Sequence, residues 1–554
     1  ALHGAMPLVI GFALAAAAIL PRLEYHTRTN LANGYTGALA WAAVLGGWDG
    51  PATIRHLLGA SLNYVGGATL ALACAALLLA GGRHATPYFA VLAVGAVVLA
   101  QRETTWLHQL PFVLLPRFEE LHRHWPERVM VIFYLGPAML AGAAVHAVTR
   151  RRRPALLVGA AFLAVLVVLA VAASIQRAIP HALLAGFVAL ALLTVAYLSG
   201  GALRRLVPLL LVLTIFVDLL VVGRFNIQHG PFGGFHKVDL GTYYAPSGAA
   251  DFLRSRAEDG ELARFFGYDP GIHPGNATPQ LYRFFFADPR TAALLLNNRA
   301  TALQLEDIQG YNPVQPQRYV EVMRALNGFA QEYHEANVYP SGLGSPLLNL
   351  LNARYLVVPA AIPADRTDLR ELIRTYSTVY EDEDVQVLEN RAALPRAWLV
   401  HEARLVARGE ALPLLASGAV DPRRVALVEE MPSLDLAPPD AAGADEAIVT
   451  LYEADHLRIT VRTDTPALLV LSETADPAWR AQVDGEPVPV LTANHILRAV
   501  PVPAGEHTIE LRYESPALWW GTVVSLVAYT GLTGVWSVAG WRAWHAVRHR
   551  RRCQ

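Results

Sequence analysis

Histidine, arginine and glutamate side chains are concentrated in one stretch, residues 101–128, where they could bind an anion or a metal ion. The candidates for contact with a substrate there are Glu103, His108, Arg123 and Arg128. Arginine guanidinium groups bind phosphate oxygens well, so the two arginines could hold a lipid-linked phosphate. Simple anchoring of an amphipathic segment in lipid headgroups is an equally good interpretation. This segment is the first candidate site.

Two histidines of the same segment, His122 and His124, flank Arg123 and raise the question of a metal site. On a helix, side chains two positions apart point to different faces, so the two rings would not converge on one ion. The two cysteines are Cys74, in an apolar run, and Cys553, in a basic tail, which disfavours a structural disulfide and a cysteine-based zinc motif. The spacing therefore predicts no metal site.

Two residues elsewhere are also candidates for substrate binding. Asp218 is the only carboxylate inside a predicted membrane span, and a charge in hydrocarbon is costly, so it is a functional candidate by default. It lies about two turns from Arg224, so it could equally reach interfacial water or hydrogen-bond a neighbouring helix. Trp479 begins a predicted strand and could stack on a sugar ring, although a single tryptophan at a strand start is more often part of a core.

Apolar helices must position these residues. Of the 554 residues, 54% are hydrophobic and 16% are charged, against roughly 25% charged in a soluble chain. The last apolar run has about 25 residues without a formal charge, enough to cross a hydrocarbon core of roughly 30 Å, with tryptophans at both ends. Eight runs are predicted to span, at roughly 6–20, 57–80, 87–100, 129–148, 155–173, 178–199, 206–222 and 517–541.

The loop charges predict the orientation of these spans. Cytoplasmic loops carry an excess of arginine and lysine. Three predicted inner loops contain arginine and no acidic residue, whereas the two long outer loops carry mixed charge. We therefore expect a multi-pass membrane protein with its C-terminus in the cytoplasm. Lys237 is the only lysine among 45 basic residues, and this preference for arginine suggests a bacterial genome, so we expect the bacterial cytoplasmic membrane. The inner loops are 81–86, 149–154 and 200–205, the outer loops are 21–56 and 101–128, and the basic tail is 542–554.

The sequence between the last two spans reads as a water-soluble, exported part of the chain. Residues 224–395 mix a helical pattern (317–339) with a buried strand near 355–358, and predict an α/β region. Residues 396–516 alternate apolar and polar positions, with a two-residue turn signal at Asp484-Gly485, and predict a β-sandwich. The predicted order is a transmembrane domain (1–223), these two regions, the last span (517–541) and the tail.

Composition and motifs exclude several functions. The net charge of −1 gives no field that would attract nucleic acid. The chain contains no nucleophile elbow, Walker loop or dinucleotide fingerprint. A transporter is disfavoured because, apart from Asp218, the predicted spans lack intramembrane polar pairs. The residues alone thus indicate an envelope membrane protein with an exported domain, and they do not indicate a reaction.

Several separated motifs resemble the bacterial YfhO-like membrane proteins. They are HWPERVMVIFYLGPAMLAG (124–142), VDLLVVGRFN (217–226), DIQGYNPVQPQRY (307–319), LLNARYLVVP (350–359), ENRAALPRAWLV (389–400) and the run 469–516. Within that last run, the family pattern is matched by Trp479, Asp484, Gly485, Pro503, Gly505, Tyr513 and Pro516. The resemblance covers essentially the whole chain.

This resemblance implies a glycosyltransferase of the GT-C type. Such an enzyme takes a sugar from a polyprenyl-phosphate donor and passes it to a cell-envelope glycopolymer on the outer face of the bilayer. The essential acidic residue of GT-C enzymes lies in the first outer loop. The first run here resembles the middle of the family pattern, so we expect the chain to be incomplete at its N-terminus and name no catalytic residue. A divalent cation is left open, and the alternative is a non-catalytic envelope protein whose exported domain binds polysaccharide or a protein partner.

Overall fold

A computed structural model describes most of the chain in two compact units. One unit contains Ala1–Ala32 and Val238–Gln554, and the other contains Asn33–Lys237. The predicted span 155–173 and most of the predicted loop 101–128 lie outside the described residues. The described residues are 2–34, 46–59, 61, 63–80, 85–101, 125–150, 180–229, 241, 244–268, 292–296, 298–362, 364, 366–437 and 445–552.

The described residues up to 229 are almost entirely helical. The helices are α1 (Leu2–Leu14), α2 (Ala16–His26), α3 (Gly50–Leu58), α4 (Gly67–Leu79), α5 (Thr86–Leu99), α6 (Met130–Phe133), α7 (Leu135–Arg150), α8 (Pro180–Leu198) and α9 (Gly201–His229), with a 3-10 turn at Pro126–Val129. The last helix of the chain, named α16 below, is Pro516–Arg552.

Within the described parts of the chain, four helical stretches are long and apolar enough to cross a membrane. They are Pro126–Thr149, His181–Leu198, Gly201–Gln228 and Pro516–His545, and two shorter apolar helices are Gly67–Leu79 and Thr86–Leu99. The chain is therefore a multi-pass membrane protein. The number of eight spans stays a prediction, since several predicted runs form shorter helices or lie outside the described residues.

Small residues bring the helices of the Asn33–Lys237 unit close together. A Cβ atom on Gly67 would lie 1.8 Å from the carbonyl oxygen of Ala182, so only glycine lets α4 approach α8 this closely. Ala68, Ala71 and Ala75 of α4 are completely buried. Helices in lipid associate through such close backbone packing because burial of apolar surface gives little driving force there.

The first two helices pack on the last one. The backbone N–H of Ala17 donates to the Ser525 hydroxyl at 3.0 Å, and a Cβ on Gly521 would lie 2.5 Å from the Ala16 carbonyl oxygen. The run predicted at 6–20 is interrupted at Ala15, where α1 ends and α2 begins. Both ends of the described chain thus form one helical group.

A four-stranded sheet forms the centre of the α/β region. Its order is β1-β4-β6-β5, with β1 and β4 parallel and the other pairs antiparallel. Side chains of β4 alternate between two cores, Tyr355 and Val357 on one face and Leu356 and Val358 on the other, so both faces are covered. The strands are β1 (Arg264–Gly267), β2 (Gly310–Tyr311), β3 (Glu335–Ala336), β4 (Ala353–Pro359), β5 (Ser377–Glu381) and β6 (Val385–Glu389).

Helices surround this sheet, and one of them is shorter than the sequence predicted. The pattern at 317–339 predicts a helix, but α12 ends at Asn327 because Gly328 adopts a left-handed conformation with φ 79°. The chain then returns through β3. The helices are α10 (Gly248–Glu258), α11 (Arg299–Leu303), α12 (Gln317–Asn327), α13 (Leu347–Leu350), α14 (Thr367–Thr375) and α15 (Ala411–Ala416).

The predicted sandwich is formed by two sheets that share one core. The six-stranded sheet has the order β7-β12-β16-β15-β9-β8 and the five-stranded sheet β10-β11-β17-β13-β14. Leu469 and Val500 of the first sheet and Ile459 and Ile509 of the second belong to the same buried cluster. The strands are β7 (Ala397–Val400), β8 (Glu402–Leu405), β9 (Val425–Val428), β10 (Glu446–Tyr452), β11 (His456–Thr463), β12 (Ala467–Thr474), β13 (Trp479–Val483), β14 (Glu486–Val488), β15 (Leu491–Ala493), β16 (Leu497–Val502) and β17 (Gly505–Tyr513).

Local features of the sandwich agree with the sequence in most places. Asp484 and Gly485 have φ of 50° and 89° and connect β13 to β14, as the turn signal predicts. The expectation of an all-β pattern from 396 onward is wrong at α15, which carries its three buried residues, Ala411, Leu412 and Leu415, at helical spacing.

Candidate functional site

The predicted loop site is only partly described. Glu103, His108 and Arg123 lie outside the described residues, as do His122 and His124. Arg128 lies in the 3-10 turn Pro126–Val129 with its side chain exposed to solvent. It is therefore available for contact with a ligand or with lipid headgroups.

The two predicted outer loops meet beside Arg128. The carboxylate of Glu127 accepts a hydrogen bond from the backbone N–H of Gly47 at 2.6 Å. The N–H of Trp48 donates to the Ala100 carbonyl at 2.9 Å, and the Trp48 ring stacks on His56. A Cβ on Gly46, whose φ is +91°, would lie 2.8 Å from Glu127, so glycine permits this contact. Gly47, from the predicted loop 21–56, thus contacts Glu127, from the predicted loop 101–128.

Asp218 is buried inside the helical unit, with 4% of its surface exposed. One carboxylate oxygen accepts from the Tyr64 hydroxyl at 2.5 Å and the other accepts from the N–H of Ala68 at 3.1 Å. Ala68 lies in the first turn of α4, where N–H groups lack partners within the helix and where negative charge is favourable. Of the interpretations left open by the sequence, the geometry matches a hydrogen bond to a neighbouring helix.

Trp479 is a core residue of the sandwich, with 7% of its surface exposed. The Arg498 guanidinium carbon lies 3.7 Å from the centre of its ring, and the Tyr513 ring meets it at 5.5 Å. These neighbours cover the surface that a sugar would use. The geometry therefore matches the core alternative given for this residue.

The structure reveals a cluster of charged residues that sequence reasoning missed. Strands β7 and β16 both run antiparallel to β12, so their first residues lie beside the last residues of β12. This register places Arg396 and Arg498 next to Glu473, where the neighbouring strands β7, β12 and β16 of the six-stranded sheet begin or end. Arg264, the first residue of β1, and Glu306 reach the same place from the α/β region. We call these five residues the arginine–glutamate cluster.

Glu473 is the centre of this cluster. One of its oxygens lies 3.0 Å from Arg264 Nη2 and 3.3 Å from Arg396 Nη1, and it accepts from the Tyr452 hydroxyl at 2.9 Å. The other oxygen lies 3.8 Å from Arg498 Nη2. Hence one carboxylate is shared among three guanidinium groups.

Burial and charge shift the pKa values in the cluster. Burial lowers the pKa of Arg498 to about 10, and the charge of Glu473 opposes that change. Burial raises the pKa of the Tyr452 hydroxyl, and the nearby Glu473 carboxylate raises it further. For Arg264, the carboxylates of Glu473 and Glu306 outweigh burial and raise the guanidinium pKa. Arg264 and Arg498 are therefore cationic at neutral pH.

One sequence signal could have revealed the cluster. Arg498 interrupts the apolar run Ile496–Val500, and Arg396 stands directly before the buried strand β7. A charged residue at the start of a buried strand needs a partner. The sequence does not show that Glu473 supplies it for both, because the pairing of β7 and β16 with β12 is a property of the fold.

The described portion of the chain contains no group of three histidine, cysteine or carboxylate residues that could hold a metal ion. Much of the predicted loop site falls outside that portion, so the absence of a metal site there stays a prediction and a divalent cation stays open.

Residues 442–525 match the family described as Bacterial membrane protein YfhO, and the predicted resemblance is confirmed over this region. No curated protein matches the chain in sequence. Among solved structures, the chain is similar to the cryo-EM structure of the arabinofuranosyltransferase AftD from Mycobacteria, with 12% identity and a TM-score of 0.32. The match covers 91% of this chain and 41% of that one, so the chain spans about two fifths of the AftD length.

Proposed function

We propose that this chain is part of a membrane glycosyltransferase of the GT-C type, which transfers a sugar from a polyprenyl-phosphate donor to a cell-envelope glycopolymer. The observation that carries the proposal is the YfhO match at residues 442–525, which begins just before β10 and ends inside α16. It therefore includes the junction between the sandwich and an apolar helix. The multi-pass character of the chain supports a lipid-linked donor, because such a donor is confined to the bilayer.

The reaction would take place on the outer face of the cytoplasmic membrane. The basic tail that begins at Arg542 supports a cytoplasmic C-terminus. With the tail inside, the sandwich that precedes α16 lies outside the cell. The proposed orientation also puts the predicted loops 21–56 and 101–128 on the outer side.

The chemistry assigns tasks to the candidate residues. A general base must remove the proton of the acceptor hydroxyl, and cationic groups must stabilise the phosphate that leaves the donor sugar. The exposed Arg128 suits the second task, and we propose Arg123 for the same role. Glu103 and His108, from the same loop, are proposed substrate contacts.

A transfer assay with the full-length protein in proteoliposomes tests the proposal. The donor is a polyprenyl-phosphate sugar with a radiolabel in the sugar, and the acceptor is an envelope glycopolymer. Arg128→Ala should reduce transfer by about 100-fold, the size of loss seen when one transition-state contact is removed. Arg458→Ala is the matched control, because Arg458 is exposed on the sandwich and pairs with Glu510 at 2.8 Å. Unchanged transfer in Arg128→Ala would remove Arg128 from the site.

A second candidate is a non-catalytic envelope protein that binds polysaccharide. The geometry of two carboxylates favours it, because Asp218 is bonded to Tyr64 and Ala68 and Glu473 is bonded to Arg264 and Tyr452. Neither is placed to remove a proton from an acceptor. Polymer binding by the wild-type full-length protein without any sugar transfer would favour this candidate over the enzyme.

A further inference from the structure

We propose that His56, in the last turn of α3, is the general base of the proposed sugar transfer and takes the proton of the acceptor hydroxyl at its Nε2 atom. This inference rests on the proposed function and deepens it, because it names the group that activates the acceptor. The group that meets His56 is then a hydroxyl of the envelope glycopolymer.

Helix α3 lies in the same part of the Asn33–Lys237 unit as the proposed phosphate contact. The side-chain amide of Gln101 donates to the hydroxyl of Thr53, in α3, at 2.8 Å. The carboxylate of Glu127 interacts electrostatically with the His56 ring, and Arg128 is the next residue along the chain. A base and a cationic phosphate contact are the two groups that sugar transfer requires.

Two contacts fix the imidazole ring of His56. The ring of Trp48 stacks on it, with centroids 4.7 Å apart and planes 16° from parallel. Trp48 itself belongs to a buried cluster with Met130 and Phe133, so it forms a rigid support. On the other contact, Nδ1 of His56 lies 3.1 Å from the hydroxyl oxygen of Ser61. A base held in this way loses little freedom in the transition state.

The hydrogen bonds of Ser61 assign the tautomer of this ring. Its Oγ accepts from the backbone N–H of Asn63 at 3.1 Å and has a second lone pair for the Nδ1–H of His56. In that tautomer Nε2 carries the lone pair of the ring. Among the described residues Nε2 has no hydrogen-bond partner, and it is not one of the fully buried polar atoms. It can therefore meet an acceptor hydroxyl.

The charges around His56 keep its ring neutral. Burial lowers the pKa of His56, the guanidinium of Arg55 lowers it further, and the Glu127 carboxylate opposes both. The other charged groups of these two elements are Asp49, which caps α3 with its carboxylate, and Arg128. The imidazole is thus neutral at neutral pH, as a general base must be before it takes a proton.

The proposed step balances in atoms and in charge. The acceptor oxygen forms a bond to C1 of the donor sugar while the bond from C1 to the phosphate oxygen breaks. The electron pair of the broken bond leaves with the polyprenyl phosphate, and the hydroxyl proton moves to Nε2 of His56. The imidazolium then gives this proton to water, which returns the base to its neutral form.

Sugar transfer by the full-length protein in proteoliposomes tests the inference. His56→Asn keeps an amide group that can donate to Ser61 but has no basic nitrogen, so kcat should fall by about 100-fold with KM nearly unchanged. His507→Gln is the matched control and should transfer like the wild type, because His507 lies in the sandwich and binds Asp484 at 2.6 Å. Thermal unfolding identifies the variants that fold.

Two charge variants test the base while His56 itself is kept. Arg55→Gln removes a positive charge, so the pKa of His56 should rise and the acid limb of the pH–rate profile should move up by roughly half a pH unit. Glu127→Gln keeps an oxygen for the N–H of Gly47 and should move the acid limb down by a similar amount. A purely structural histidine would leave the acid limb in place.

The outcomes separate this inference from the proposed function. Wild-type rates of transfer in folded His56→Asn, or an acid limb that neither charge variant moves, would overturn the role of His56 and leave the glycosyltransferase intact. Absence of transfer by the wild-type protein would refute the proposed function, and the role of His56 with it.

Discussion

The guanidinium group of Arg28 donates from Nη1 to both carboxylate oxygens of Asp476, at 3.0 Å each. Its Nη2 donates to Glu24 at 3.0 Å, and the other Glu24 oxygen accepts from the Ser515 hydroxyl at 2.9 Å. Arg28 follows α2, Asp476 precedes β13 and Ser515 precedes α16. This chain of contacts therefore connects the first helices, the sandwich and the last helix at a single point.

We expect Arg28→Ala to destabilise this connection. The pair is partly screened by solvent, so its contribution is on the order of 1 kcal/mol. A double-mutant cycle with Asp476→Asn, read from the thermal unfolding of the purified chain, should give a coupling free energy of that order. The cycle of Arg458→Ala with Glu510→Gln, at an exposed pair, should give a smaller coupling. Additive effects of Arg28→Ala and Asp476→Asn would contradict the interpretation.

We expect substitution of Asp218 to lower the free energy of unfolding, because its carboxylate accepts two buried hydrogen bonds. Asp218→Leu leaves the Tyr64 hydroxyl and the Ala68 N–H without their acceptor inside the helical unit, which should cost about 2–4 kcal/mol over the two groups. Tyr64→Phe removes the bond to Asp218 and the acceptor of the Gly67 N–H, and it should also lower stability. Thermal unfolding in detergent measures both. A variant that unfolds like the wild type but loses all sugar transfer would instead indicate a catalytic Asp218.

Much of the fold follows from periodicity in the sequence. The alternation at Leu457, Ile459 and Val461 corresponds to a strand with these three side chains buried, and Asp484-Gly485 forms the predicted turn. Short-range patterns of this kind are fixed by local backbone geometry. They predict elements well because each pattern lies within one element.

The contacts that form the sites could not be predicted in the same way. Arg264 and Glu473 are 209 positions apart. They meet only because the start of β1, in the four-stranded sheet, lies beside the end of β12, in the six-stranded sheet. Arg28 and Asp476 are 448 positions apart and meet because the first helices pack on the last one. A single sequence gives no local signal for which distant residues pair, so the partners within the cluster could not be predicted.

Acid should weaken the contact between α12 and the sandwich. Burial alone would raise the pKa of Glu321, but its hydrogen bond with His495 at 2.8 Å, supported by Gln317, lowers the pKa below the ordinary 4.5. A carboxyl group with a lowered folded-state pKa stabilises the protein above its unfolded pKa, and this stability is lost as the pH falls through the folded pKa. We expect the melting temperature to fall more steeply below about pH 4.5 in wild type than in Glu321→Gln.

The matched control for this prediction is Glu430→Gln. Glu430 is exposed and lies two residues after the end of β9. It should keep the wild-type dependence on pH. Parallel melting curves for wild type and Glu321→Gln between pH 6 and pH 3.5 would show that the bond to His495 contributes nothing to acid stability.

Substitution of Trp479 tests whether this residue belongs to the sandwich core or binds a sugar. Its ring fills the sandwich core and carries the Arg498 guanidinium on one face, so Trp479→Ala should cost about 3–5 kcal/mol through the cavity and the lost cation–π contact. Trp479→Phe keeps an aromatic ring under Arg498 and should cost clearly less. Chemical unfolding of the purified chain compares the two variants. Because the ring is covered, neither folded variant should lose binding to envelope polysaccharide. A Trp479→Phe variant with wild-type stability but no polysaccharide binding would show that the ring contacts sugar.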